Sequence, residues 1–172
     1  MEAREFIRDI LVHEAGMREE YVEGMTPSEL AWRAGPQANH SIWIIWHMAR
    51  VEDFWVQFFI QKKLEIWEAE KWCAKFGLPA RDNGFEHTAE KVSSFPALHL
   101  EDLMDYWRTV RKGTMDFVDA LNPQALEVVP REKRPEMSVQ AILNQIIGEF
   151  YQHLGHLDYI KGLMGKTRSR AI

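Results

Sequence analysis

One cysteine, Cys73, is the only thiol in a chain of 172 residues. That excludes an internal disulfide and an all-cysteine zinc site. With no secretory signal ahead of the charged segment from Glu2 to Arg8, it points to a reducing, cytoplasmic setting. Long apolar runs are also missing: stretches such as Ile42 to Trp46 are only a handful of residues, against the roughly 18 that suggest a membrane span. Positive charge is in short supply, with 21 Lys and Arg against 26 Asp and Glu and a net charge of −5. The broad basic field used by non-specific nucleic-acid binders is therefore absent, and neither nucleic acid nor membrane is an expected partner. No internal repeat, low-complexity tract or strand-like alternation appears.

What the chain does have is 46% hydrophobic and 27% charged residues, including seven tryptophans and seven histidines. A chain of this length and composition buries one core, assigned here to residues 1–165, with a basic tail at 166–172 read as a solvated end. Apolar residues recur at three- and four-residue steps in four long segments, the mark of amphipathic helices around a shared core. The first runs from about Ala3 to Glu23 and stops before Gly24, with Phe6, Ile10 and Met17 on one face. Thr26-Pro27 starts a short turn or helix. Asn39 or Ser41 caps the second long helix, which reaches about Lys62. The third starts near Leu100 and stops before Asn122-Pro123. The fourth is capped by Ser138 and ended by Gly165. Between the second and third, residues 66–96 form a long, partly helical connection. Trp67, Trp72 and Phe76 mark a short helix there, and Gly77 to Gly84 reads as loop. The fold class is all-α, a four-helix bundle.

Chemistry in a bundle sits on inward-facing side chains, so polar residues on apolar stripes are the informative ones. On the fourth helix, with Ile142 at zero, Glu149 falls at about −20°, His153 at about +20° and Ile160 at 0°. Glu149 and His153 are one turn apart and can converge on one point, as helical metal-ligand pairs do. On the second helix His47 lies among Trp43, Val51, Phe54 and Phe58. If the two helices adjoin, His47, Glu149 and His153 form a two-histidine, one-carboxylate set suited to zinc with an open position, and equally to iron(II) or nickel(II). The same groups also allow a plainer reading, a hydrogen-bonded core histidine and an inward ion pair. His156 stands behind as a residue that can orient a ligand. His13 and His40 face inward and are read as packing, while His87 and His99 carry no spacing signal. Cys73 reads as an ordinary thiol, and Arg50 as a salt-bridge residue or a rim cation.

The segment Ser41-Ile-Trp-Ile-Ile-Trp-His47-Met-Ala-Arg-Val-Glu-Asp-Phe-Trp55 resembles the second helix of the DinB/YfiT-like superfamily, in which a histidine in a Trp-His-x-Ala-x-x-Glu context is a metal ligand. The segment Gly148-Glu149-Phe-Tyr-Gln-His153-Leu-Gly-His156-Leu-Asp158 resembles the fourth helix of the branch containing mycothiol-dependent maleylpyruvate isomerases and related thiol transferases. Many members place His-x-x-x-His on that helix, and Glu149 in the first of those positions matches the branch's His, Glu, His variant. The resemblance implies that His47, Glu149 and His153 hold a divalent metal. It also implies that the metal activates a low-molecular-weight thiol such as mycothiol, bacillithiol or glutathione against a small electrophile. No catalytic residue beyond the metal site is implied. Metal-assisted hydrolysis uses the same ligands. The non-enzymatic alternative is a dimeric helical bundle with a binding or stress-response role, its interface made by exposed aromatics such as Trp67 and Trp72. Bundle analogy and the supply of large apolar residues point to a homodimer.

Overall fold

The computed structural model describes residues 2–166, and these contain helices and no strand. Four long helices carry the architecture: α1 (Ala3–Val22), α3 (Ser41–Asp53), α7 (Leu100–Asp119) and α8 (Val139–Leu163). Short helices fill the connections: α2 (Pro27–Leu30), α4 (Ile66–Ala69), α5 (Trp72–Phe76) and α6 (Ala89–Ser93). Beyond Asp53, α3 continues as a π-helix over Phe54–Ile60, and a 3₁₀ turn occupies Pro123–Glu127. Around the bundle the order is α1, α8, α3, α7, each packed on the next and α7 back on α1. The sequence expectation of four helices with a long connection between the second and third is met. The tail beyond Lys166 lies outside the described residues.

Local chemistry explains the helix ends. Ser138 accepts the Ala141 N–H at the start of α8, and Gly165 ends it at φ +71°. Thr26 and Glu29 form a reciprocal capping box on α2. The cap of α3 differs from expectation. Neither Asn39 nor Ser41 fills it; His40 does, accepting the Trp43 N–H through Nδ1 and reaching the Val92 carbonyl through Nε2. An imidazole takes the place of the usual hydroxyl because its second nitrogen also ties α6 to the bundle.

The face of α1 is the main correction. Phe6 is 56% exposed and His13 is exposed beside the Tyr151 hydroxyl, while Leu11, Glu14, Arg18 and Val22 point inward. Charge sits in the core because it is matched there. Arg18 pairs with Glu14 at 2.6 Å, and Arg111 of α7 pairs with both Glu14 and Glu52 of α3. Two guanidinium groups balance two carboxylates, and both lie over the Trp107 and Phe150 rings. Apolar periodicity discounts charged residues, so it selected the wrong stripe. Trp67, which the non-enzymatic alternative placed at an exposed interface, is 0% exposed, and Trp72 is half-buried. The exposed-aromatic interface loses its central residue.

Candidate metal centre

Helices α3 and α8 pack side by side, which is what His47 needs to meet the pair on α8. One ligand atom from each of His47, Glu149 and His153 falls within 4.8 Å of the other two. The His47 and His153 rings stand nearly perpendicular, at 82°, with centroids 5.1 Å apart. Glu149 Oε2 lies 3.4 Å from His153 Nε2. Both histidines are buried, and Glu149 is half-buried on the outer side of the cluster.

Electrostatics separates the ligand reading from the ion-pair reading. The Glu149–His153 contact is an ion pair only if His153 is protonated. Burial opposes that and lowers its pKa to about 3, with His47, His156 and Arg18 acting in the same direction. Burial also lowers the pKa of His47, helped by the nearby His87 and opposed by the hydrogen bond to Asn83 and the charge of Asp82. A neutral imidazole keeps one N–H and one lone pair, and with the His47 Nδ1–H held by Asn83 its Nε2 offers a lone pair to the cluster. That donor set, two nitrogens and one oxygen, fits a borderline divalent cation with a position left open.

The ring nitrogens are assigned roles by their surroundings. His47 Nδ1–H donates to the Asn83 carbonyl at 2.5 Å, leaving Nε2 for the cluster. His153 directs Nε2 toward Glu149, and its Nδ1 lies 3.3 Å from His156 Nδ1. His156 is thus within hydrogen-bond distance of His153. One side of His47 is closed by Trp43, stacked at 4.8 Å, and by the edge of Phe85 at 5.7 Å.

Family comparison follows from this geometry. Residues 7–165 match the model of the mycothiol-S-transferase family. The chain belongs to that family. Among curated proteins none matches it. A crystal structure titled as the conserved protein of a locus from Enterococcus faecalis shares the fold, with a TM-score of 0.85 and 23% identity over 96% of this chain and 99% of that one. Family membership is consistent with the two helix motifs on α3 and α8, and it supplies the thiol-transferase context for the cluster.

Other candidates fall outside it. Arg50 is a buried hub rather than a rim cation: its Nε binds the Asp82 carbonyl, Nη1 meets Asp53 and the Tyr106 hydroxyl, and Nη2 meets Glu65 at 2.7 Å. His87 binds Asp82 at 2.8 Å and the Trp43 indole. His99 lies exposed near Asp102, and Cys73 is half-buried on α5. The sequence shows Gly77 to Gly84 as loop but not its contact with His47, because a main-chain carbonyl that orients a histidine has no side-chain signature. Its one visible trace was the Asp-Asn-Gly sequence ending at Gly84.

Proposed function

We propose that this member of the mycothiol-S-transferase family is a metal-dependent thiol transferase whose cation is held by His47, Glu149 and His153. The observation that carries the reading is the convergence of two neutral, buried imidazoles and one carboxylate within 4.8 Å. Zinc suits these donors best, with nickel(II) and iron(II) also compatible. A divalent cation in that position supplies a Lewis acid that lets a coordinated thiol lose its proton near neutral pH.

The chain's own residues do the rest. Asn83 fixes the tautomer of His47, and His156 backs His153. Glu149 brings the one negative charge, so two neutral ligands and one anionic ligand leave a net positive centre that favours a thiolate. Trp43 and Phe85 shield His47 from water on one side. The single cysteine, half-buried on α5, is not among the clustered groups, so the reacting sulfur comes from a small thiol: mycothiol first, with bacillithiol and glutathione as the other expected carriers. The acceptor is a small electrophile. A homodimer belongs to the same proposal, and sedimentation measures it.

Metal analysis of protein purified without a histidine tag tests the ligand set. About one equivalent per chain is expected, with loss in His47→Ala and His153→Ala; full occupancy in both variants sinks the assignment. Cobalt-substituted protein should then change its visible absorption on adding a thiol. A spectrum indifferent to every cellular thiol favours a closed, structural metal or water-based hydrolysis.

A further inference from the structure

We propose that Gly84 is a positioning residue for the metal centre, holding the loop Asp82–Phe85 against His47 so that the Asn83 carbonyl aims Nε2 at Glu149 and His153. The proposal rests on the metal-centre reading for its consequence, but its geometry stands without it. Gly84 is fully packed into the molecule at φ +89°, and a Cβ built there would stand 2.6 Å from His47 Nδ1, 3.0 Å from Trp43 and 3.1 Å from Trp46. Those distances leave no space for any side chain. The nitrogen it would strike is the one that donates to Asn83. Gly84 is therefore required twice, for its backbone conformation and for the close approach that makes the hydrogen bond.

The loop is anchored on both sides. Asp82 accepts the Gly84 N–H at 3.1 Å and His87 Nε2 at 2.8 Å through one oxygen, and its other oxygen meets Lys91 at 3.2 Å. Its carbonyl accepts from Arg50 Nε at 2.9 Å. Asn83 Oδ1 accepts the Phe85 N–H and tightens the turn. The carbonyl that faces His47 is thus fixed from α3 through Arg50 and from α6 through Lys91. An imidazole with Nδ1–H held in this way presents one nitrogen, in one orientation, to the cluster.

Gly77 provides an internal control, since it also has positive φ, +65°, but a Cβ there meets nothing within 4 Å. Gly84→Ala and Gly77→Ala share the backbone penalty, and only the first displaces His47. Two readouts separate the possibilities. In metal-free protein, imidazole ¹⁵N shifts assigned with His47→Ala should show the Nδ1–H tautomer for wild type and Gly77→Ala, and a tautomer mixture for Gly84→Ala. Zinc affinity by competition with a chromophoric chelator should fall about 10–100-fold in Gly84→Ala and stay within about twofold in Gly77→Ala, the range seen when a ligand's outer partner is lost. A pure Nδ1–H tautomer in folded Gly84→Ala, or equal losses in the two variants, overturns the proposal. Should Gly84→Ala fail to fold, Asp82→Asn loosens the loop without touching His47. A reduced Nδ1–H population then supports the proposal, and an unchanged tautomer overturns it. If wild type binds no zinc, the metal-centre reading fails while the tautomer measurement still decides the loop's role.

Discussion

Arg111 donates to Glu14 at 2.5 Å and to Glu52 at 2.7 Å, joining α1, α7 and α3 through one guanidinium in the middle of the bundle. A third bond goes to the Leu11 carbonyl at 2.6 Å. Burial works against its charge, but the neighbouring carboxylates Glu52 and Glu14 outweigh that and push its pKa above the ordinary arginine value, so the cation is permanent. Arg111→Met leaves Glu14 with Arg18 alone and takes from Glu52 both of its hydrogen bonds to a guanidinium. A loss of about 3–5 kcal/mol is expected on urea unfolding, the cost of stranding a buried charge. A change below about 1 kcal/mol would show that water reaches the network and that the pairing is loose.

Acid should destabilise the metal-free protein through its buried histidines. Burial first of all lowers the pKa of His40, His47 and His153, the last to about 3. Unfolded, each titrates near 6.5. Between the two values the unfolded chain binds more protons, so stability is full above about pH 6.5 and declines as pH falls, for His153 down to about pH 3. Asp53 has the opposite sign: burial raises its pKa to about 6, so its contribution declines as pH rises from about 3.8 to about 6. Three groups outweigh one. The urea midpoint should fall from pH 7 to pH 5, and His153→Gln should flatten that slope by up to about 1.4 kcal/mol per pH unit. An unchanged slope in His153→Gln would show that His153 already binds a proton in the folded state.

The parts of the fold that were legible in sequence are those written in side chains. Ser138, Thr26, Gly24 and Gly165 fixed helix ends because caps and left-handed stops demand particular residue types. His47, Glu149 and His153 were found because each lies on an apolar stripe, where a polar group stands out, and the structure brings them together. The inward face of α1 was hidden for the converse reason: Glu14 and Arg18 look like surface residues until Arg111, some 97 positions away from Glu14, supplies the matching charge. The orientation of His47 depends on a backbone carbonyl, and the burial of Trp67 on its indole N–H reaching the Pro79 carbonyl at 3.1 Å. Both are tertiary facts with no local pattern.

His156 offers a narrower test of the cluster's surroundings. It is exposed, so its loss should leave stability within about 0.5 kcal/mol. Its Nδ1 nevertheless lies 3.3 Å from His153 Nδ1. His156→Ala should therefore weaken zinc binding by about tenfold with an unchanged urea midpoint, because the ligand ring loses the partner that steadies it. Unchanged affinity would make His156 a surface residue and leave His153 oriented by packing alone.

Arg50 connects stability to the site without touching it. Its planar fork engages the Asp82 carbonyl, Asp53, Glu65 and the Tyr106 hydroxyl at once, and it lies 4.7 Å over the Trp67 ring. An ammonium keeps the charge but cannot reach these directions together or stack on the indole in the same way. Arg50→Lys should cost about 1.5–3 kcal/mol for a lost charged hydrogen bond, measured by urea unfolding. Because the bond to Asp82 also holds the loop that orients His47, zinc affinity should fall as well, by less than in Gly84→Ala. A destabilised variant with full zinc affinity would confine Arg50 to the core and leave Asp82 anchored by His87 and Lys91 alone.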